Sequence, residues 1–207
     1  MLSIKNLKKE YGTHVILDIP QLQFESGLFW LKGNNGSGKS TLLKIISGII
    51  PFDGEVNIDA VDLRKHPTDY RRLVNYVEAE PLYPPFLTGQ DLVSFFISTR
   101  MANKEEVDEL VQKFNIHSFI KNPIGTYSSG MVKKLSLVLA FIGRPKYILL
   151  DEPLVTIDKE SVPILYELVK LYFGRGVNFV FTSHQAFELE GIVVKEMEVK
   201  DHKVWEL

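Results

Sequence analysis

The chain has 207 residues, 45 % of them hydrophobic and 24 % charged, with a net charge of −2 and no cysteine, which bounds it to one domain with a sizeable core. The near-neutral charge excludes a partner held by long-range attraction to polyanions, so no nucleic acid is expected. The lack of cysteine excludes disulfides, thiolate metal sites and a thiol nucleophile. Residues 1–6 lack the basic-then-apolar pattern of a signal peptide, and the longest apolar helical run, Leu135 to Ile142, is far shorter than the ~18 residues of a membrane span. Work at a membrane therefore implies another chain to supply the membrane part.

Residues 2–8 and 15–24 cluster β-formers around Tyr11-Gly12-Thr13, which predicts an antiparallel pair. The apolar run Leu28-Phe29-Trp30-Leu31 predicts a short strand. It leads into Gly33-Asn34-Asn35-Gly36-Ser37-Gly38-Lys39-Ser40-Thr41 and then the helical period of Leu42, Leu43, Ile45 and Ile46. Strand, glycine-rich turn and helix together make a G-x-x-x-x-G-K-[ST] match a phosphate-binding loop. Glycines let backbone N–H groups approach a ligand, and the helix that begins near Gly38 adds its positive end. Lys39 supplies a point charge to the outer phosphates and Ser40 a hydroxyl to Mg²⁺. Ser47-Gly48 and Pro51 stop that helix, and residues 54–58 and 73–77 read as further strands.

Pro81, Pro84 and Pro85 mark a change of texture. Thr88 with Asp91, and Asn103 with Glu106, predict capping boxes ahead of two helices. Residues 81–144 accordingly read as a helical lobe set into an α/β body made of 1–80 and 145–207. After Tyr127-Ser128-Ser129-Gly130, a helix presents Leu135, Val138, Leu139 and Ile142 on one face and ends at Gly143 and Pro145. Tyr147–Leu150 and Val177–Thr182 are unbroken apolar runs of strand length, suited to parallel strands covered on both faces. A helix is expected over about 160–173, and the tail turns at Asp201-His202 as a hairpin.

Asp151 and Glu152 follow the first of those buried strands and point to opposite sides, so they can do different work. Asp151 is placed to hold Mg²⁺ through its water shell and Glu152 to orient and polarise an attacking water; a solvated acidic pair at a strand end is the alternative. His184, after the other buried strand, can reach a γ-phosphate from the far side.

Over essentially its whole length the chain resembles the ATP-binding subunits of ABC (ATP-binding cassette) transporters. The resemblance implies a P-loop NTPase fold: a mixed-sheet core, an N-terminal antiparallel β subdomain and an inserted α-helical subdomain. Tyr11 matches the aromatic that stacks on adenine, and Gly33–Thr41 matches Walker A. Tyr127-Ser128-Ser129-Gly130-Met131 stands where the family has its signature. Tyr147–Asp151 matches Walker B, Glu152 the hydrolytic glutamate, Leu154–Asp158 the D-loop and His184 the switch histidine. The resemblance further implies an ATPase in which two subunits, here two copies, sandwich two ATP. Ser128 and the N–H of Gly130 then complete the partner's site, and a separate integral-membrane permease is driven from the cytoplasmic face.

Three departures accompany the resemblance. Ala79 stands where the family usually has a glutamine, between Glu78 and Glu80, either of which is a candidate replacement. Ser129 replaces a glycine, and the D-loop is unusually apolar. The tyrosine-led signature and the short chain lean toward an exporter. A soluble ABC ATPase acting on ribosomes or DNA, and a nucleotide-sensing module without turnover, are the alternatives.

Overall fold

The computed structural model describes residues 1–184 and 189–207. The chain opens with β1 (Leu2–Tyr11) and β2 (His14–Phe24), an antiparallel hairpin that pairs Tyr11 with His14 across a two-residue turn. In β1 Leu2, Ile4 and Leu7 are buried. The break in strict alternation falls at Asn6, whose φ of 48° marks a bulge and coincides with the register shift against β4 (Asp53–Ile58). The bulge keeps Leu7 facing inward. With the short β5 (Val61–Asp62), these strands make a four-stranded antiparallel sheet ordered β2-β1-β4-β5.

The second sheet has six strands: β3 (Leu28–Lys32), β6 (Val74–Val77), β7 (Tyr147–Asp151), β8 (Asn178–Thr182), β9 (Val194–Lys200) and β10 (Lys203–Glu206). Their order is β10-β9-β3-β8-β7-β6. Every pair from β9 to β6 is parallel, and only β10 runs antiparallel, closing the expected terminal hairpin. The α-helices among the described residues are α1 (Lys39–Ile46), α2 (Pro67–Leu73), α3 (Gly89–Arg100), α4 (Lys104–Lys113), α5 (Ser129–Ala140) and α6 (Ser161–Gly174).

All five residues of β7 are buried, because both faces of the sheet are covered. Its alternation sorts the core into two clusters. Tyr147 and Leu149 face α1 and the antiparallel sheet, while Ile148 and Leu150 face α3 to α6. Burying each such side chain contributes roughly 1.5–3 kcal/mol. The Tyr147 hydroxyl accepts from the Leu2 N–H at 2.9 Å and lies 2.7 Å from the Phe24 carbonyl, joining the two sheets, and burial pushes its pKa up to about 12. The segment read as a helical lobe shares its core with one face of the six-stranded sheet.

The capping box of α3 forms as expected from Thr88 and Asp91. At α4 Asn103 accepts from the Glu105 and Glu106 N–H groups without the reciprocal bond, so it is a simple cap. Helix α2 was not anticipated. Its signals were local, a proline at the helix start and Asp69 in the first turn, but a seven-residue helix offers too little period to stand out.

Candidate functional site

The sheet order places β3, β8 and β7 side by side, so the loops after their C-terminal ends converge. This edge is where parallel α/β sheets hold ligands. Between the loops lies a cavity of about 340 Å³ lined by Asn35, Gly36, Gly38, Lys39, Ser40 and Thr41, together with Asp151, Glu152 and His184. The structure thus gathers three stretches of sequence, the first of which lies more than a hundred residues before the other two. Ile16 of β2 closes one side.

The loop is built to receive anions. Gly38, the N-cap residue of α1, has φ of 105° and no side-chain cap, so the first N–H groups of the helix are left for a ligand. A Cβ at Gly38 would lie 3.0 Å from Leu17 Cδ2, which adds a packing reason for glycine. Lys39 folds back, donating to the carbonyls of Gly33 at 2.7 Å and Asn34 at 3.0 Å. Ser37 Oγ is buried with no hydrogen-bond partner among the described residues.

Opposite the loop, Asp151 is 2 % exposed and held on both oxygens. The Thr182 hydroxyl donates to Oδ1 at 2.6 Å and the Tyr76 hydroxyl to Oδ2 at 3.3 Å. Burial, with the charges of Asp151 and Glu78, holds the Tyr76 phenol strongly in its neutral donor form. Neither Tyr76 nor Thr182 was singled out from sequence. Their role depends on the register that sets Thr182 beside Asp151, which no local motif records.

Glu152 has φ of 44°, a left-handed conformation for a non-glycine residue. Such a conformation costs of order 1–3 kcal/mol and persists where the surroundings over-determine it. Here the Glu152 N–H donates to Thr182 Oγ1 at 2.9 Å. The result is a largely buried carboxylate whose Oε1 is 3.6 Å from His184 Nε2, a pair facing the loop across the cavity. The oxygens of Ser40 and Asp151 suit a hard cation such as Mg²⁺, which keeps several waters and takes few protein ligands. Among the described residues no group of three or more His, Asp or Glu side chains could hold a metal alone, so a cation here needs oxygens from a phosphate ligand.

The remaining expected site residues lie outside this cavity. Tyr11 is half-exposed near the hairpin tip, with Lys9 Nζ 4.7 Å from its ring centroid. Ser128 caps α5 by accepting from the Met131 N–H at 3.3 Å, while the Ser128 N–H points to Met131 Sδ at 3.5 Å. Ser128 and Ser129 are exposed, and a Cβ at Gly130 would stand 3.0 Å from the Thr156 carbonyl. This close approach seats the D-loop on the start of α5. Asp158 pairs with Lys134 of α5 and accepts from the Ser161 N–H at 2.9 Å. Burial raises its carboxyl, but Lys134 and Ser161 together outweigh that and hold it below the usual value.

Glu78 and Glu80 do not line the cavity. Glu78 turns toward Lys44, 3.7 Å away, and lines a separate groove of about 250 Å³ with Leu82, Tyr83, Phe96 and Arg100. The donor found near Ala79 is instead Lys133, whose ammonium bonds to the Glu78, Ala79 and Asp151 carbonyls. Lys133 is fully buried; burial lowers its pKa to about 8, against the raising effect of Asp151, Glu152 and Glu80. Its spacing to the buried Leu137 and Ala140 is helical, so a lysine at a core-facing position was the available signal.

The model of the ABC transporter family matches residues 20–155. The chain is 29 % identical over 192 residues to the lantibiotic transport ATP-binding protein SrtF of Streptococcus pyogenes, covering 92 % of this chain and 82 % of that protein. It is 30 % identical over 196 residues to the linearmycin resistance ATP-binding protein LnrL of Bacillus subtilis (strain 168), covering 92 % of this chain and 63 % of that one. Its fold matches a structure described as the ATP binding subunit of an ABC transporter, with a TM-score of 0.88 at 22 % identity over 100 % of this chain and 90 % of that one. It also matches a dimeric post-hydrolysis ATP-binding cassette, MJ0796, bound to ADP and Pi, with a TM-score of 0.83 at 22 % identity over 100 % and 98 % of the two chains. The chain belongs to the ABC transporter family, as one of its ATP-hydrolysing subunits.

Proposed function

We propose that two copies of this chain close around two ATP molecules and drive a separate permease that exports its cargo. The observation that carries the reading is the convergence of Lys39, Ser40, Asp151, Glu152 and His184 on one cavity. The α1 N–H groups and Lys39 bind the phosphates, Lys39 exchanging the loop carbonyls it now contacts for phosphate oxygens. Ser40 and Asp151 would hold Mg²⁺, which would supply neutralisation of the phosphate charge. Glu152 accepts a proton from the attacking water, and His184, beside it, donates to the γ-phosphate. Tyr11 stacks on adenine, exchanging Lys9 for the base.

Ser128, Ser129, Gly130 and Met131 lie outside their own chain's cavity and are assigned to the partner's γ-phosphate, with Asp158 in the D-loop at that interface. The groove beside Glu78 is assigned to the permease. Its wall includes Leu82, which is 90 % exposed, and an apolar patch open beside the site is a natural interaction surface. The names of the relatives, a lantibiotic transport protein and a linearmycin resistance protein, support export of antibiotic-type cargo. In this reading the protein lies at the cytoplasmic face of the membrane.

Affinity capture from detergent-solubilised membranes, followed by ATPase assay of the captured complex, tests the proposal. An integral membrane protein recovered with wild type and lost with Leu82→Glu supports it. Capture of ribosomes or DNA in its place refutes it.

A further inference from the structure

The peptide group that joins Asp151 to Glu152 is gripped at both edges. Its N–H, which belongs to Glu152, donates to Thr182 Oγ1 at 2.9 Å, and its C=O, which belongs to Asp151, accepts from Lys133 Nζ at 3.3 Å. The orientation of that peptide plane fixes φ of Glu152, the left-handed value noted above, and with it the direction of the Glu152 carboxylate.

The lysine is there for a backbone reason. The β6–β7 register ends at Val77 opposite Leu150, so the chain beyond Val77 has left the ladder. Its carbonyls at Glu78 and Ala79 need donors from elsewhere. An ammonium carries three N–H groups, and Lys133 spends them on Glu78 at 2.9 Å, Ala79 at 3.0 Å and Asp151 at 3.3 Å. One buried cation therefore joins three parts of the molecule: helix α5, the segment that borders the groove, and the peptide before Glu152. Lys133 lies only five residues from Ser128, about 7–8 Å along a rigid helix.

We propose that Lys133 is a positioning residue for hydrolysis, holding the Asp151–Glu152 peptide so that displacement of α5 or of the groove segment turns the Glu152 carboxylate. Lys133 does not line the phosphate cavity, so it acts on turnover and not on nucleotide binding. The proposal deepens the reading that this cavity hydrolyses ATP and rests on it.

The test is a comparison of wild type, Lys133→Met, Lys133→Gln and Thr182→Val for steady-state ATP hydrolysis, ATP affinity by titration, and Tm. Lys133→Met is expected to lower kcat at least tenfold while the Kd for ATP changes less than twofold. Lys133→Gln, which retains two N–H donors, regains part of the loss. Thr182→Val, close to isosteric, releases the opposite edge of the same peptide and also frees Asp151 Oδ1, so its fall in kcat is expected to come with a raised Mg²⁺ requirement that the lysine variants do not share. Lys133→Gln decides the matter if Lys133→Met does not fold. Equal kcat in wild type and in whichever of these variants fold, or parallel losses in kcat and ATP affinity, overturns the proposal and leaves the hydrolytic cavity standing. Absence of hydrolysis by the wild-type protein overturns the cavity's assignment and the proposal with it.

Discussion

Two helix N-termini in this molecule carry similar backbone chemistry and are finished in opposite ways. At α1 no side chain caps the helix, Gly38 is left-handed, and the free N–H groups face a concave cavity whose far wall is Asp151, Glu152 and His184. At α5 Ser128 caps the first turn and the residues around it are exposed, packed from one side by the D-loop. One terminus is walled in by its own chain and the other is presented on a surface. The difference teaches that a helix start becomes a nucleotide site only when other elements wall it in. In the proposed dimer, α5 meets that wall on a second copy.

The largest effect that tests this contrast is on chemistry at the enclosed end. Glu152→Gln is expected to lower ATP hydrolysis by about 10²–10⁴-fold, the range for a positioned acid–base group, with nucleotide binding retained. Turnover at the wild-type rate removes Glu152 from its assigned role. Next, Lys39→Ala is expected to weaken ATP binding by about 10–100-fold, from loss of charge-assisted bonds contributing roughly 1.5–3 kcal/mol, measured by nucleotide titration. At the open end, Ser128→Arg should leave ATP binding to the monomer intact and block ATP-dependent dimerisation, read by size-exclusion chromatography with light scattering. Normal dimerisation would count against the completion of the site by α5 of a second copy.

Two smaller effects sharpen the same comparison. Ser128→Ala should lower stability by about 1 kcal/mol through loss of a helix cap, whereas Ser37→Ala, which deletes a buried hydroxyl with no partner among the described residues, should be neutral or slightly stabilising without nucleotide. Chemical denaturation of both variants gives the contrast directly. The weakest is the Lys134–Asp158 pair that fastens the D-loop to α5. Because the folded carboxyl lies below its ordinary 3.8, its contribution is present above that value and fades as the pH falls through the lower folded one. The pair is partly exposed, so Lys134→Met should cost only about 0.2–1 kcal/mol at pH 7, with the difference shrinking toward pH 3.

The legibility of the sequence followed the range of the physics. The glycine loop was readable because its function is written in consecutive residues, and β7 because an unbroken apolar run of strand length suits a strand covered on both faces. Asp151, Glu152 and His184 were readable as strand-end groups. Tyr76, Thr182 and Lys133 were not, because each acts through a neighbour that only strand register or helix packing brings near. The reading of Glu78 or Glu80 as a replacement for the usual glutamine at Ala79 met a different geometry. Glu78 faces Lys44, and the 78–79 carbonyls are taken by Lys133.

By itself, then, the sequence determined the phosphate loop, the two buried strands and the hairpins at both ends, since local steric freedom and period-two or period-3.6 burial are decided within a few neighbouring residues. Tertiary structure alone decided which strand ends lie side by side, that the peptide before Glu152 is clamped by Lys133 and Thr182, and that α5 opens outward while α1 opens onto a cavity. Those outcomes turn on strand order and on which backbone groups are left without a ladder partner, properties that exist only once distant segments have packed.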